Sequence, residues 1–184
     1  MEYYIIYQDE RIYNFTEPTG VAKVIDLSLI KRGKIEALDD SPVQVYIKEK
    51  SENEYIDFID KPVTLISENL KQVFDAYDEK IFFKPVVFAD AKRMKQDLYW
   101  LMVPEGVKCL SSDSEFNRDE TLKKLVIDEE RVGFSKIFKV SDILEDIIVV
   151  NQDVAESILR RDFTGIRLKK VQREVKGSEY EELL

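Results

Sequence analysis

Histidine is absent from this chain of 184 residues. The imidazole side chain is the commonest general base in enzymes, the usual activator of a serine or cysteine nucleophile, and the commonest metal ligand. Its absence excludes every catalytic or metal site that depends on histidine. We therefore expect a protein that is not an enzyme and that holds no cofactor or metal.

Cysteine occurs once, at Cys109. A single thiol cannot form an intrachain disulfide, and without a second cysteine or a histidine it cannot build a zinc site. Its neighbours Val107 and Leu110 are apolar, which favours a buried and unreactive thiol. The cysteine content therefore gives no indication of an oxidising compartment.

Glycine and long apolar runs are also scarce. The six glycines are spaced too widely for a dinucleotide-binding or phosphate-binding loop. The longest apolar runs, Tyr3–Tyr7 and Leu98–Val103, are far shorter than the ~20 residues that span a bilayer. The first residues lack the basic start and the small-residue cleavage site of a secretory signal. We expect a cytoplasmic protein with no membrane segment.

The chain does have ample apolar residues for a core, and an excess of acid. Hydrophobic residues make up 44% of it, and 37 acidic residues against 28 basic ones give a net charge of −9. The sharpest acidic block is residues 36–60, where only two lysines accompany the carboxylates. An acidic surface attracts basic partners and repels nucleic acid, although the same charges could serve solubility alone.

Basic residues are concentrated between Arg160 and Lys176, where seven of them and two acids give a charge of +5. A nucleic-acid site is one interpretation of this stretch. However, Gly165–Val171 alternates like the exposed and buried faces of one strand, and it lacks the exposed aromatic side chains that stack on RNA bases. We therefore expect no nucleic-acid binding.

The spacing of apolar residues predicts an α+β fold, with mixed, largely antiparallel sheets and a few helices. Two similar strand-cap-helix-strand units recur. In the first, Ser67 is predicted to cap a helix that follows the strand Val63–Ile66. In the second, Asn151 has the same place after the strand Ile147–Val150.

An alignment that places Ser67 on Asn151 relates the two units along their length. With one residue of slack, it also brings Val86 onto Val171 in the closing strands. Pro85 lies inside the first of these closing strands, which suggests an edge strand or an irregular pairing.

The pattern changes at residue 61. We expect a β-rich N-terminal lobe at residues 1–60, an α+β core lobe packed on it at residues 61–176, and a frayed tail at residues 177–184.

One catalytic alternative remains, a divergent metal-dependent hydrolase built from carboxylates. Two acid-x-lysine triplets fit it loosely: residues 78–80, which precede a strand, and residues 174–176, with Asp162 upstream. Such short patterns arise by chance in a chain with 35% charged residues. This alternative therefore ranks below a binding function.

The order of several short motifs resembles a known family. The motifs are Cys109–Phe116, Leu125–Asp128, Ile137–Val140, Ile148–Ala155 and Phe163–Leu168. In this order they resemble the bacterial polymorphic-toxin immunity proteins of the eleventh numbered immunity family. Val63–Val86 resembles the family's earlier strand, serine-capped helix and strand ending in Pro-Val. Tyr99–Pro104 departs from the usual Asn-Val ending of the strand at that place.

The resemblance covers roughly residues 40–172 and implies a cytoplasmic antidote that binds a cognate toxin domain. It implies no catalytic residues. Because concentrated negative charge suits a basic toxin, and many such toxins are nucleases, the acidic block becomes the candidate partner-binding region. Its candidate steering carboxylates are Asp39, Asp40, Glu52, Glu54, Asp57 and Asp60.

Affinity would come from aromatic anchors, for which the candidates are Tyr46, Tyr55 and Phe58. All three could instead be core residues, and the neighbours of Tyr46 favour the core for it. A second interpretation is a scaffold or regulatory module with an unrelated partner, assembled as a homo-oligomer through the edge strands of its sheet.

Overall fold

The computed structural model describes residues 1–174, which form two β-sheets with helices packed between them. Sheet A has five strands, in the spatial order β14 (Ile166–Lys170), β1 (Tyr3–Gln8), β13 (Ile148–Asn151), β12 (Ile137–Val140) and β8 (Gly106–Val107). Sheet B has six, in the order β2 (Pro18–Thr19), β3 (Val43–Ile47), β6 (Phe82–Asp90), β7 (Lys95–Val103), β5 (Leu65–Ser67) and β4 (Phe58–Ile59).

Shorter elements complete the described fold. Two small strand pairs join β9 (Glu115–Phe116) to β10 (Leu122–Lys124), and β11 (Val126–Ile127) to β15 (Gln172–Arg173). The helices are α1 (Val21–Val24), α2 (Leu27–Lys31), α3 (Glu68–Tyr77), α4 (Glu129–Val132) and α5 (Gln152–Leu159), with a 3-10 turn at Ile35–Ala37. Most strand pairs are antiparallel, which confirms the predicted α+β class. Within residues 1–174 no helix is long and apolar enough to cross a membrane.

Both predicted helix caps are confirmed. The Ser67 hydroxyl accepts a hydrogen bond from the Leu70 N–H at 3.3 Å, and the Asn151 side-chain oxygen accepts one from the Val154 N–H at 3.1 Å. Each bond satisfies one of the N–H groups that the first turn of a helix leaves without a partner. Short polar side chains at these two positions therefore explain why the strands turn into helices there.

The two units prove to be one architecture used twice. In sheet B, β5 and β6 flank β7 and run antiparallel to it, with α3 connecting them. In sheet A, β13 and β14 flank β1 and run antiparallel to it, with α5 connecting them. Beyond β5 lies β4, and beyond β13 lies β12, each antiparallel to its neighbour. We call β4, β5, α3, β6 and β7 repeat 1, and β12, β13, α5, β14 and β1 repeat 2.

The strand register relates the repeats residue by residue. The corresponding residues, repeat 1 first, are Ser67 and Asn151, Tyr99 and Tyr3, and Val86 and Val171. Tyr99 pairs with both of its partners in the register of sheet B, and in sheet A the Val171 N–H donates to the Tyr3 carbonyl at 2.9 Å. The alignment of the two units made from the sequence therefore matches the pairing of the strands.

The strands do not separate at residue 60. Strand β1 pairs with β13 and β14, whereas β3 and β4 pair with β6 and β5. Both sheets thus combine strands from residues 1–60 with strands from residues 61–174, and the predicted division into two lobes does not follow the sheets. The predicted tail at residues 177–184 lies outside the described residues.

The core between the two sheets holds both repeat helices. Phe74 of α3 and Ile158 of α5 lie there, with Met102 from sheet B and Ile148 from sheet A. Each such side chain contributes about 1.5–3 kcal/mol when fully buried. The outer face of sheet B is covered by residues around α1 and α2, and the outer face of sheet A by residues 107–132.

Pro85 lies in a strand that is central rather than at an edge, because β6 has β3 on one side and β7 on the other. Of the two predicted alternatives, an edge strand is therefore wrong for β6 as a whole. However, β3 begins to pair only at Val86, so at Pro85 the strand has β7 as its only neighbour. The proline thus lies where β6 is locally an edge, which is where the missing N–H is tolerated.

Gly165 precedes β14 and has a φ of +74°. A Cβ atom added at this position would lie 2.5 Å from the Ile56 Cβ. Its carbonyl accepts a hydrogen bond from the Asp9 N–H at 3.0 Å. Both the backbone conformation and the close approach require glycine here.

Candidate protein-binding surface

The predicted steering carboxylates do not form one surface. Asp39 and Asp40 precede β3, whereas Glu52 and Glu54 follow it, and all four are exposed. The five residues of β3 separate the two pairs by about 16 Å. The two pairs of carboxylates would therefore meet a partner at two separate places.

The turn before β3 is fixed by a buried lysine. Lys84 of β6 donates from Nζ to the carbonyl oxygens of Asp39 and Ser41, at 2.6 and 2.5 Å. The Asp39 carboxylate accepts hydrogen bonds from the Ser41 hydroxyl and N–H, and these hold its pKa below the usual range. Asp39 is therefore charged at neutral pH, beside the exposed Asp40.

The other end of β3 carries mixed charge. Lys50 donates to the Phe15 carbonyl at 2.9 Å, and Arg93 donates to the Ser51 carbonyl at 3.0 Å. Lys48 and Lys50 also lie 3.4 Å from the Glu17 carboxylate. Arg93 also pairs with Asp90 at 2.9 Å. Acidic and basic side chains therefore alternate at this end, and Glu52 and Glu54 lie among lysines and an arginine.

Asp57 and Asp60 hold parts of the fold together. One oxygen of Asp57 accepts from the Ser67 hydroxyl at 2.6 Å, and the other accepts from the Thr164 N–H at 2.7 Å. Asp57 thereby joins the start of α3 in repeat 1 to the turn before β14 in repeat 2. Asp60 accepts from the Gln8 N–H at 3.1 Å and so connects β4 to β1. The contacts of these two carboxylates are structural, in contrast to the steering role expected of them.

The three candidate anchors have different environments. Phe58 is 1% exposed and belongs to the core, so it cannot anchor a partner in this conformation. Tyr55 is half-buried, with the Lys95 Nζ 4.1 Å from the centre of its ring, and burial raises its pKa to about 12. Tyr46 is 58% exposed, so the expectation of a core position is wrong for it.

Tyr46 belongs to a part of sheet B that has no covering layer. The helix α3 packs over β5 and the adjoining part of β7, but the same face of β3, β6 and the rest of β7 is open. Neighbouring residues across these strands include Gln44, Val87 and Leu98 in one row, and Pro85 and Trp100 in the next. We call this surface the open face; it consists of Gln44, Tyr46, Pro85, Val87, Leu98 and Trp100.

The open face is apolar at its centre. Leu98 is 43% exposed, and Val87, Pro85 and Trp100 are half-buried. Along its border, Trp100 donates from its indole nitrogen to the Glu68 carboxylate at 2.5 Å, and the Lys71 Nζ lies 4.8 Å from the centre of the indole ring. The aromatic ring is thus held in place by α3 and remains partly exposed.

The sequence contained a signal for this surface. Residues 43–47 alternate so that valine and isoleucine lie on one side, and Gln44 and Tyr46 lie on the other. This alternation alone places Tyr46 with the polar side chain. The contribution of Leu98 and Trp100 could not be anticipated in the same way, because both lie within a continuous apolar run.

The remaining candidate sites show structural contacts. Cys109 is buried, and burial raises the pKa of its thiol to about 11. Within residues 1–174 no group of three or more cysteine or carboxylate side chains is placed to hold a metal ion. In the first acid-x-lysine triplet, the Asp78 carboxylate accepts from the Lys80 N–H, and the second triplet extends beyond the described residues.

Three of the six basic residues that the structure describes in the basic stretch form ion pairs. Lys170 and Arg173 form ion pairs with Glu2 at 2.6 and 2.9 Å, and Arg160 pairs with Glu156 at 2.9 Å. Such pairing reduces the positive charge available to nucleic acid. The surface also has two open grooves, one of about 700 Å³ between α3 and α5 and one of about 910 Å³ beside α2.

Comparison with known proteins identifies the family. The model of an immunity protein family, Imm11, matches residues 7–173. Comparison with curated proteins gives no match. The matched range includes both repeats apart from the first four of the six residues of β1, and it includes the whole open face. The chain belongs to the Imm11 immunity protein family.

Proposed function

We propose that this protein binds a cognate bacterial toxin domain in the cytoplasm and neutralises it by contact, without catalysis. Membership of the immunity family over residues 7–173 is the observation that carries this proposal. The lack of histidine supports a non-enzymatic role, because the commonest catalytic base is absent.

The charge of the chain supports a basic toxin as partner. A net charge of −9 attracts a positively charged domain and accelerates its association, with an effect that weakens as the salt concentration rises. Many toxin domains that act on nucleic acids carry positive charge for their own substrate, so an acidic antidote complements them.

Co-expression tests the proposal. The partner to be tested is the C-terminal domain of a large secreted protein encoded beside this chain, produced with and without the antidote. Restored growth, together with co-purification of the two proteins, is the expected result. A catalytically inactive toxin variant should still co-purify, because neutralisation by contact does not need an active toxin. If there is neither rescue nor complex with any neighbouring toxin domain, the proposal is wrong and a binding module with an unrelated partner replaces it.

A further inference from the structure

The internal repeat supplies a counterpart for each residue of the open face on β6 and β7. Because Tyr99 corresponds to Tyr3, the neighbours along and across the strands correspond as well. The corresponding residues, repeat 1 first, are Leu98 and Glu2, Val87 and Gln172, Pro85 and Lys170, and Trp100 and Tyr4.

The two repeats fill these positions with different chemistry. In repeat 2, Glu2 forms ion pairs with Lys170 and Arg173, at 2.6 and 2.9 Å. In repeat 1 the corresponding place is occupied by Leu98, which stays 43% exposed beside Val87. Sheet A thus carries charged and polar residues at these positions, so the repeated architecture by itself does not require apolar ones. Grouped apolar side chains left exposed on one face are typical of protein-binding surfaces.

We propose that the open face is the surface that contacts the toxin, and that the contacting toxin surface has an apolar centre and a basic rim. This inference rests on the proposed immunity function and adds the location and the chemistry of the contact. Tyr46 is its principal anchor, since a large aromatic side chain that is 58% exposed on a rigid strand loses little conformational entropy on binding.

The border of the open face is acidic. Asp39 and Asp40 lie at the start of β3, and Glu68 and Asp75 lie on α3. Lys71, on the same helix, pairs with Asp75 at 2.7 Å, and the Lys84 Nζ lies 3.8 Å from the Asp39 carboxylate. Asp40 and Glu68 therefore carry the net negative charge of this border. A basic rim on the partner complements this border.

The same border argues against a second copy of this chain as the occupant. A symmetric dimer through the open face would bring the same patch of each copy together. The two acidic borders would then face each other across the contact, and like charges in such positions oppose association. A toxin with opposite charge has no such penalty.

The size of the open face indicates which neighbours also take part. Three strands about 4.8 Å apart, with five residues each, give a patch of about 14 by 16 Å. That is roughly 220 Å², whereas a standard interface buries about 800 Å² on each partner. The footprint of the toxin therefore extends onto the turn at Asp39 and Asp40 and onto α3.

Two variants of the full chain test the inference against matched controls. Leu98→Glu combined with Val87→Gln gives repeat 1 the residues that repeat 2 carries at the corresponding positions, and Tyr46→Ala removes the anchor. The controls are Tyr13→Ala and Leu144→Glu, whose side chains are 86% and 64% exposed away from the open face. Binding is measured by titration calorimetry against the inactivated toxin domain, and folding is checked by thermal denaturation.

We expect each open-face variant to bind the toxin domain at least about 30-fold more weakly, with each control within about threefold of the wild type. If both open-face variants bind the toxin domain as tightly as the wild type, the inference is overturned and the immunity function stands. The same holds if the control variants lose as much affinity as the open-face variants. Failure of the wild type to bind overturns both proposals. A wild-type dimer that Leu98→Glu with Val87→Gln converts to a monomer identifies a second copy as the occupant and overturns the toxin contact.

Discussion

Removing the Asp57 carboxylate should destabilise the protein and leave its binding surface intact. The Ser67 hydroxyl and the Thr164 N–H donate to the Asp57 carboxylate at 2.6 and 2.7 Å. In Asp57→Ala both donors lose their acceptor. A hydrogen bond to a charged group contributes about 1.5–3 kcal/mol. Because Asp57 is only half-buried, water replaces part of what is lost, and we expect a decrease of about 2–3 kcal/mol in the free energy of unfolding.

Urea denaturation followed by circular dichroism measures this decrease. The midpoint should fall while the slope of the free energy against urea stays unchanged, since the folded state keeps its compactness. Asp40→Ala is the control, because this carboxylate is exposed and remote from such contacts, and it should change the stability by less than about 0.5 kcal/mol.

A double-mutant cycle between Asp57 and Ser67 tests the hydrogen bond between them more directly than the single substitution. Ser67→Ala removes both the hydrogen bond to Asp57 and the cap of α3, which alone is worth about 1 kcal/mol. The double variant should therefore lose less than the sum of the single ones, by about 0.5–1.5 kcal/mol. An Asp57→Ala protein of wild-type stability that binds the toxin poorly would refute this reasoning and restore Asp57 to a steering role.

Three further predictions follow from other parts of the molecule. Gly165→Ala should lower the free energy of unfolding by roughly 3 kcal/mol in urea denaturation, because strain at positive φ is added to a steric clash. Gly33 has a φ of +65°, but an added Cβ there would meet no atom within 4 Å, so Gly33→Ala should lower the free energy of unfolding by only about 1 kcal/mol. Equal destabilisation by the two substitutions would contradict a steric clash at Gly165. At pH 8 a thiol reagent should modify Cys109 only after unfolding, because burial raises the thiol pKa to about 11; rapid modification of the folded protein would show that the thiol is accessible. Asp39→Asn with Asp40→Asn should slow association with the toxin by about threefold to tenfold and flatten its salt dependence in stopped-flow measurements; an unchanged rate would remove this turn from the steering region.

Local features of the fold could be predicted from the sequence, because each depends on a few neighbouring residues. Ser67 and Asn151 cap their helices as expected, and the similarity of the two units proved to be a true structural repeat. The partners of β1 could not be predicted in this way. Strand alternation fixes the faces of a strand, but the choice of neighbour depends on contacts between distant segments, such as Tyr4 with Lys170.

The candidate site shows the same division between local and distant information. Asp57 and Asp60 look like free carboxylates in the sequence, because their donors at Thr164 and Gln8 are far away along the chain. Conversely, Leu98 looks like a core residue in its apolar run. No local pattern indicates that α3 stops short of it.

The position of β1 has a consequence for the order in which the molecule can fold. All strands of repeat 1 lie within residues 58–103, so this half can assemble from one continuous segment. Repeat 2 needs Tyr3–Gln8, which pair with residues 148–151 and 166–170. On the ribosome, this strand must therefore wait until residues 148–170 have been made before it finds its partners. Closing so long a loop is entropically costly, and we expect the insertion of β1 to be the slow, final step that makes sheet A complete.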